Sequence, residues 1–272
     1  MGQRPVGPDV IIEPHPHLRL RDDGAVRVLT IDRPDAKNAL DVAMREAFVE
    51  TVAAADHDPA VRCLVITAVD PVFSAGVDFK ERAPGGPPRA VDWAFRPDPG
   101  AALRASTTPT ICAVNGACVS GGLEIALSAT FAVASERARF ADTHARLNVV
   151  PAWGLTALLP RAVGLRKARE MSITGAFVEA DEALRIGLVN HVVAHDDLEP
   201  FALGLAASVV DQPAVAEVLR LYDRGDGLGR AEALALERDW VAHRVTDVAA
   251  FARLGSETAK DADRPNRADG PA

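Results

Sequence analysis

The sequence predicts an α/β fold, in which a core of alternating strands and helices precedes a helical C-terminal third. Two segments have strand patterns: Val26–Asp32 alternates apolar and polar residues, and Val61–Thr67 is apolar and β-branched. From Asp197 onward the pattern is helical almost throughout. With 48% hydrophobic and 25% charged residues among its 272, the chain has a globular composition and enough apolar material for a sizeable core.

The first elements have clear signals at their ends. Arg33–Asp35 contains a proline that ends the first strand, and Asp41 is predicted to be the N-cap of a helix running to about Asp56. After the buried strand, a turn around Asp70-Pro71 leads into Phe73–Glu81. These signals predict a strand, a helix and a second strand in succession.

The segment Ala83–Gly100 contains five prolines and several glycines, which predicts a long surface loop. Further helices are predicted at Trp153–Pro160, Leu165–Ser172 and Ala180–Leu184. The C-terminal helices are expected to break near Gln212-Pro213 and Gly225–Gly229, and the polar tail after Ala259 is predicted to be disordered.

One apolar stretch is long enough to suggest a membrane span. Thr110–Ser135 is 26 residues long and carries a single charge, Glu124. Asn115-Gly116 and Gly121-Gly122 interrupt it, and a carboxylate near the middle of a span is costly. We therefore predict a buried strand, a tight turn, a buried helix and another buried strand, with no membrane contact.

Charge and cysteine usage limit the possible partners and compartments. The formal net charge of −8 argues against a nucleic-acid partner, which needs a concentrated basic face. The three cysteines lack the spacing of a disulfide framework, which indicates free thiols in a reducing compartment. The N-terminal stretch has no sustained apolar segment of the kind found in signal peptides. These observations predict a cytoplasmic protein.

Two short glycine-containing segments are candidates for binding an oxygen atom through the backbone. Ser74–Gly76 and Gly121-Gly122 have small side chains, so that a ligand can approach the main chain closely. If a helix begins after each segment, its first N–H groups lack intrahelical partners. Two such donors meeting at one oxygen would form an oxyanion hole, in which each donor is worth roughly 3–4 kcal/mol. Either segment alone could equally be a turn or a packing device.

Glu124 is the most informative single residue, because an unpaired carboxylate in an apolar environment is expensive. A catalytic role is one explanation. The other is a structural carboxylate that accepts hydrogen bonds from backbone amides or from a nearby arginine, such as Arg137, Arg139 or Arg146.

Five segments together resemble the crotonase superfamily, also called the enoyl-CoA hydratase/isomerase family. In chain order they are Arg33–Asp41, Phe73–Glu81, Ala113–Thr130, Phe140–Gly154 and Glu182–Val193. The resemblance implies a spiral of ββα units over residues 1–195 for acyl-CoA binding and catalysis and a helical trimerisation region over 196–258. It also implies a homotrimer or homohexamer. The polar composition of residues 259–272 predicts a disordered tail.

The resemblance assigns chemistry to particular positions. It implies that the backbone N–H groups of Val77 and Gly121 hold the thioester carbonyl oxygen of an acyl-CoA. It also implies that Glu124 activates and positions the water that adds at Cβ.

His144 marks a departure from the family pattern, because hydratases of this family carry a second glutamate at this position. A histidine can still exchange a proton near neutral pH, which suits an acid that protonates Cα. It could equally line the pocket without transferring a proton. A metal pair with Asp142 is disfavoured, because no third or fourth ligand is near in the sequence.

The remaining contacts are also implied by the resemblance. The predicted coenzyme A contacts are Ala36, Lys37, Ala39, Ala75, Asp78 and Phe79. Trp153 is predicted to shape the acyl pocket, although an ordinary core tryptophan fits its position as well. No metal and no separate cofactor are expected, because coenzyme A is part of the substrate.

The predicted activity is enoyl-CoA hydration, which makes the chain a carbon–oxygen lyase. Other chemistry on the same fold remains open, double-bond isomerisation above all, because fold alone does not decide chemistry. An acyl-CoA binding protein without catalysis is the alternative from a different class.

Overall fold

The computed structural model describes residues 12–81 and 96–244. The chain divides into two compact units, Met1–Leu219 and Arg220–Ala272. The predicted site residues all lie in the first unit. Part of the loop predicted at 83–100 and the tail predicted after residue 259 lie outside the described residues.

The described strands form two sheets. Their bounds are β1 Ile12–His15, β2 Leu18–Asp23, β3 Val26–Ile31, β4 Cys63–Ala68, β5 Val72–Ser74, β6 Thr110–Val114, β7 Ala117–Val119, β8 Phe131–Ser135, β9 Arg139–Ala141, β10 Val178–Glu179 and β11 His191–Val193. The first sheet has the order β1-β2-β3-β4-β6-β8-β11, and the second has the order β10-β9-β7-β5. All pairings from β3 to β11 in the first sheet are parallel, as are β5-β7-β9 in the second.

The helices bring the chain from one strand pair to the next. Their bounds are α1 Val42–His57, α2 Pro99–Ala105, α3 Gly121–Ser128, α4 Leu155–Val163, α5 Leu165–Thr174, α6 Ala180–Arg185, α7 Leu198–Val210, α8 Val215–Gly225 and α9 Arg230–His243. Asp41 caps α1 as predicted, since its Oδ1 accepts a hydrogen bond from the N–H of Met44 at 2.9 Å. The predicted breaks in the C-terminal helices are confirmed, because α7, α8 and α9 are separated at those two places.

Successive strand pairs alternate between the two sheets, which is the repeated ββα arrangement that the sequence predicts. The first strand of each pair, β4, β6 or β8, lies in the first sheet, and the following strand, β5, β7 or β9, lies in the second. After β5 and β7 the chain passes through a helix and returns to the first sheet, whereas after β9 it first adds β10 to the second sheet and reaches the first sheet at β11. Because the connections repeat in the same direction, the ends of β5, β7 and β9 meet at one edge.

The central strands of the first sheet are buried on both faces, which explains their continuous apolar pattern. In β4, Leu64 and Ile66 face the larger core, which lies towards the second sheet and α1. Cys63 and Val65 face a smaller core closed by one side of α7. The buried residues of α7 recur every four positions, at Leu198, Ala202 and Ala206, as expected for one face of a helix. Thus α7 packs on the sheet, although it follows the predicted boundary at residue 195.

Three expectations about secondary structure need correction. The hairpin β1–β2 was not predicted, because its short strands are mostly exposed and carry charges. Helix α2 begins at Pro99, inside the predicted loop, where Asp98 caps it through the N–H of Ala101. No helix begins after Gly76: Val77 forms an isolated bridge with Leu40, and a single 3-10 turn follows at Phe79–Glu81.

The predicted free thiols are confirmed, since Cys63, Cys112 and Cys118 are all buried and unpaired. Among the described residues, no single helix is long and apolar enough to cross a membrane. The segments His195–Val210 and Val215–Gly225 pass that test only together, as a bent pair and by length and composition alone.

Candidate active site

Three neighbouring parallel strands deliver the predicted site residues to one edge of the second sheet. Val77 follows β5, Gly121 follows β7, and His144 follows β9. Because β5, β7 and β9 run in the same direction, the residues after them emerge at the same edge. The sheet therefore brings to one edge residues that lie up to 67 positions apart in the sequence, from residue 77 to residue 144.

The backbone segments around Val77 and Gly121 are in direct contact. A Cβ added to Gly76 would lie 2.7 Å from the amide nitrogen of Gly121, closer than real Cβ atoms approach. A Cβ added to Gly121 would lie 3.3 Å from the amide nitrogen of Val77. Glycine is required at position 76 for a second reason, its φ of +88°. The two glycines thus allow the two predicted donors to lie side by side.

Neither predicted donor is used within the described part of the chain. Leu40 donates to the carbonyl of Gly76 and accepts from the N–H of Asp78, so the intervening N–H of Val77 points away from this bridge. Gly121 is the first residue of α3, and its N–H precedes the first intrahelical bond, which Glu124 donates to Ser120. Val77 is therefore available as a donor because of a bridge, and not because of the helix start that the sequence suggested.

Glu124 lies one helical turn after Gly121, and its side chain is 2% exposed. Its Oε1 accepts hydrogen bonds from the N–H groups of Trp153 at 2.7 Å and Leu155 at 3.2 Å. Its Oε2 lies 3.7 Å from Nε2 of His144. Burial raises the pKa of Glu124, and the His144 ring and the two backbone hydrogen bonds oppose that effect only in part. Oε1 is thus held by backbone amides, as the structural explanation requires. Oε2 makes no direct hydrogen bond to His144.

His144 lies between Glu124 and a second buried carboxylate. Its Nδ1 lies 2.6 Å from Oδ1 of Asp142, which also accepts a hydrogen bond from the His144 backbone N–H at 3.1 Å. Asp142 is 1% exposed. Burial alone would raise the pKa of Asp142, but hydrogen bonds from His144 and Ser172 outweigh it and hold that pKa below its ordinary value. Sequence reasoning considered Asp142 only as a metal ligand, and its spacing of two from His144 was the available signal.

Ser120 was also missed by sequence reasoning. Its φ of 48° and ψ of −108° are unusual for a residue with a side chain. Its Oγ lies 2.8 Å from Oγ1 of Thr143 and accepts a hydrogen bond from the N–H of Thr143 at 3.1 Å. Ser120 therefore ties the turn that carries Gly121 to the turn that carries His144.

Trp153 is 1% exposed and packs directly against the first turn of α3. Its ring atom Cζ3 lies 2.9 Å from the position that a Cβ added to Gly121 would occupy. The guanidinium of Arg45 lies 5.8 Å from the centre of the same ring. The side chain thus belongs to the core and also borders the predicted oxygen-binding position, and its role in an acyl pocket stays a prediction.

The predicted coenzyme contacts lie along two packed loops. The N–H of Ala75 donates to the carbonyl of Lys37 at 3.1 Å, and the N–H of Asp78 donates to Leu40. Lys37 and Phe79 are exposed, whereas Ala39 is buried. The carboxylate of Asp78 accepts from Arg33 at 2.6 Å. A coenzyme at these loops would therefore meet carbonyl oxygens and exposed side chains, because the amides of Ala75 and Asp78 are already used.

A cleft of about 540 Å³ lies beside these loops. It is lined by His17, Asp32, Arg33, Pro34, Asp35, Ala36, Asp41, Asp78, Lys80 and Glu81. Ala36 and Asp78 are predicted coenzyme residues, but five carboxylates make this cleft a poor match for phosphate groups. Glu124 and His144 do not line it. The coenzyme contacts stay predictions. Across the described ranges no three His, Cys, Asp or Glu side chains form a candidate metal cluster.

Comparisons with known proteins agree with this geometry. Residues 21–239 match the family model described as enoyl-CoA hydratase/isomerase. A probable peroxisomal enoyl-CoA hydratase 1 of Arabidopsis thaliana is 33% identical over 228 residues, which are 80% of this chain and 83% of the relative. A carnitinyl-CoA dehydratase of Salmonella agona is 38% identical over 215 residues, 75% of this chain and 79% of the relative.

Solved structures give the same result. An enoyl-CoA hydratase from Mycobacterium tuberculosis H37Rv is 46% identical with a TM-score of 0.70, over 81% of this chain and 95% of that one. An enoyl-CoA hydratase from Bacillus anthracis is 26% identical with a TM-score of 0.83, over 90% and 96%. The chain therefore belongs to the enoyl-CoA hydratase/isomerase family, the crotonase superfamily that its sequence resembles.

Proposed function

We propose that this protein is an enoyl-CoA hydratase, which adds water to a 2-enoyl-CoA thioester to give a 3-hydroxyacyl-CoA. One observation carries the proposal: two unused main-chain amides, of Val77 and Gly121, lie side by side next to a buried carboxylate–imidazole pair. The names of the similar enoyl-CoA hydratases support it.

In the proposed reaction the two amides bind the thioester carbonyl oxygen. Negative charge grows on that oxygen when water adds at Cβ, and preorganised donors stabilise it most strongly in the transition state. Each donor is expected to contribute roughly 3–4 kcal/mol to lowering the barrier. Trp153 borders this position and is proposed to shape the acyl pocket.

Glu124 and His144 divide the proton transfers in the proposed reaction. The separation of 3.7 Å between Oε2 of Glu124 and Nε2 of His144 is too long for a direct hydrogen bond. A water oxygen can nevertheless lie about 2.8 Å from both atoms, which is an ordinary hydrogen-bond length. Glu124 takes a proton from this water as its oxygen bonds to Cβ, and protonated His144 gives a proton to Cα. The proton on Glu124 then passes to Nε2 of His144 through the next water molecule that bridges the two groups, which restores the starting state.

The pKa of Glu124 suits the role of a base. A carboxylate with a raised pKa is a stronger base than an exposed one and remains able to release its proton afterwards. No separate cofactor takes part in the proposed reaction, since coenzyme A belongs to the substrate. A homotrimer or homohexamer remains the predicted assembly.

A steady-state assay with crotonyl-CoA and longer 2-enoyl-CoA thioesters tests the proposal, with loss of the conjugated-thioester absorbance as the readout. We expect turnover by the native protein and about 10³-fold less by Glu124→Gln, because general acid–base catalysis is worth 10²–10⁴-fold. Thermal stabilisation by acyl-CoA without turnover of any 2-enoyl substrate would instead identify a binding protein and contradict the proposal.

Double-bond isomerisation is the second candidate, and His144 at the position of a hydratase glutamate is the observation that favours it. A base that removes a proton at one carbon of a 3-enoyl-CoA and an acid that returns one at another need no bound water. Incubation of 3-enoyl-CoA with the protein in deuterated water would distinguish the two, because isomerisation yields the conjugated 2-enoyl thioester whereas hydration alone leaves 3-enoyl-CoA unchanged.

A further inference from the structure

The two ring nitrogens of His144 have different surroundings. Nδ1 is 2.6 Å from a carboxylate oxygen of Asp142, within hydrogen-bond distance. Nε2 is 3.7 Å from Glu124 and faces the position proposed for water. Only one of the two nitrogens is therefore available for proton exchange with a substrate.

Asp142 can act at Nδ1 only as an acceptor. Two donors of His144 reach its carboxylate, the backbone N–H at 3.1 Å and Nδ1 at 2.6 Å. These hydrogen bonds favour the ionised carboxylate, although burial opposes it. An ionised carboxylate has no proton to donate, so the hydrogen between Asp142 and His144 must be on Nδ1.

We propose that Asp142 is a positioning residue that holds His144 in the Nδ1-protonated tautomer and directs Nε2 towards Glu124 and the substrate. This inference rests on the proposed function for its catalytic consequence, but the tautomer itself can be observed without any activity. Asp142 acts through His144 and is not proposed to touch the substrate.

The consequence for the reaction is a defined path for one proton. When His144 is charged, its Nε2–H is the only ring proton that faces the substrate, and it moves to Cα. The neutral ring then keeps its Nδ1–H on Asp142 and presents the Nε2 lone pair, which accepts the proton that Glu124 took from water. In the other tautomer Nε2 would carry the hydrogen already and could not accept one.

A purely structural role for Asp142 is the competing explanation, because its bond to the His144 backbone N–H stabilises the turn that leads into the 3-10 helix Ala145–Leu147. That role concerns the backbone and makes no demand on the protonation of the ring. The two explanations therefore differ in the tautomer and in whether an effect of Asp142 requires the imidazole.

The first experiment is ¹⁵N NMR of the histidine rings, with His144→Gln used to assign the His144 signals among the seven histidines. In the native protein we expect neutral His144 to carry its proton on Nδ1, and Asp142→Asn to lose that preference. Native His144 protonated on Nε2 would overturn the inference, whether or not the protein hydrates any enoyl-CoA. The tautomer itself is measured on the native chain, and His144→Gln serves only to assign the signals.

The second experiment is a double-mutant cycle on kcat for crotonyl-CoA. We expect Asp142→Asn to lower kcat about 10²-fold with a change in KM of less than about threefold, since loss of the right tautomer removes acid–base catalysis. In the His144→Gln background the same substitution should lower kcat by less than about threefold. An equal loss in both backgrounds would mean that Asp142 acts on the turn and not on the ring.

Ser172→Ala provides the matched control. It removes a hydroxyl that helps to lower the pKa of Asp142 but leaves the hydrogen bonds from His144 in place. We expect a change in kcat of less than about threefold and no change of tautomer. A loss as large as that of Asp142→Asn would show that general disturbance around Asp142, and not the missing acceptor, lowers activity.

Discussion

Two histidines in this chain lie between polar partners, yet only one is part of the proposed active site. His195 is bound on both sides: Oγ of Ser135 is 2.9 Å from its Nδ1, and Oδ2 of Asp70 is 2.9 Å from its Nε2. His144 is bound on one side by Asp142, while its Nε2 is 3.7 Å from Glu124. A chain of serine, histidine and aspartate thus exists at His195, but its serine is fully buried and accepts the N–H of Arg137.

The difference lies in what is left unused. At His195 both ring nitrogens are already hydrogen-bonded, so the network joins β8, the loop after β4 and the segment before α7 without an open position for a ligand. At His144 one ring nitrogen and Oε2 of Glu124 lie 3.7 Å apart without a direct hydrogen bond, next to two unused amides. Residue types alone therefore do not separate the two histidines, whereas the hydrogen-bond donors and acceptors left unused around His144 do.

The largest expected effect is the loss of kcat when Glu124 is substituted, with Asp70, the carboxylate beside His195, as the control. Glu124→Gln should lower kcat about 10³-fold, whereas Asp70→Asn should leave it within about twofold of the native value. Crotonyl-CoA hydration measured at saturating substrate checks both. A comparable loss of kcat from the two substitutions would contradict the assignment of catalysis to Glu124 and of a structural role to Asp70.

Substitution of the histidines should separate activity from stability. His144→Gln is expected to lower kcat about 10²-fold, because an amide cannot transfer the proton to Cα. His195→Gln should leave kcat unchanged and lower the free energy of unfolding by about 1 kcal/mol through lost hydrogen bonds. Urea denaturation of both variants measures stability, and the crotonyl-CoA assay measures kcat. Impaired turnover with native stability in His195→Gln would contradict the structural role of His195.

A matched pair of glycine substitutions tests the proposed oxyanion hole, for which the surroundings of His195 have no counterpart. Gly121→Ala should lower kcat/KM about tenfold or more, because its Cβ would lie 2.9 Å from the Trp153 ring and would crowd the oxygen-binding position. Gly204→Ala is the control, because that glycine is exposed in α7 with nothing within 4 Å of the added Cβ. It should leave activity unchanged and stabilise the protein by about 0.5–1 kcal/mol. Unimpaired hydration by Gly121→Ala would argue against the proposed oxyanion hole.

The smallest effect is a pH dependence of stability at Glu124. The pKa of Glu124 is raised in the folded protein, so the folded state binds more protons than the unfolded state between the ordinary value of 4.5 and the folded value. The free energy of unfolding therefore loses a contribution as the pH rises through that window. Glu124→Gln lacks this loss, and its stability relative to the native protein should increase from acidic to neutral pH. Denaturation curves at several pH values measure it, and a constant difference between the two proteins would show that burial does not perturb this carboxyl.

Local patterns in the sequence were sufficient for much of the fold. The apolar β-branched run gave β4, the capping aspartate gave the start of α1, and the glycine pairs interrupted the apolar stretch where the structure has its turns. The weak strands β1 and β2 were missed because their stability comes from pairing with β3, which the local sequence does not reveal.

The sequence by itself determined the family, the core strands and the residue types at the site, because these depend on local periodicity and on motifs in a fixed order. Only the tertiary structure decided why the Val77 amide is unused, which oxygen of Glu124 is held, and that Asp142 contacts His144. The first depends on the bridge between Val77 and Leu40, and the second on the backbone N–H of Trp153. All three depend on the sheet edge at which the parallel strands β5, β7 and β9 end. The physical reason is that hydrogen-bond partners distant in the sequence are selected by strand pairing, and strand pairing is not encoded in any single segment.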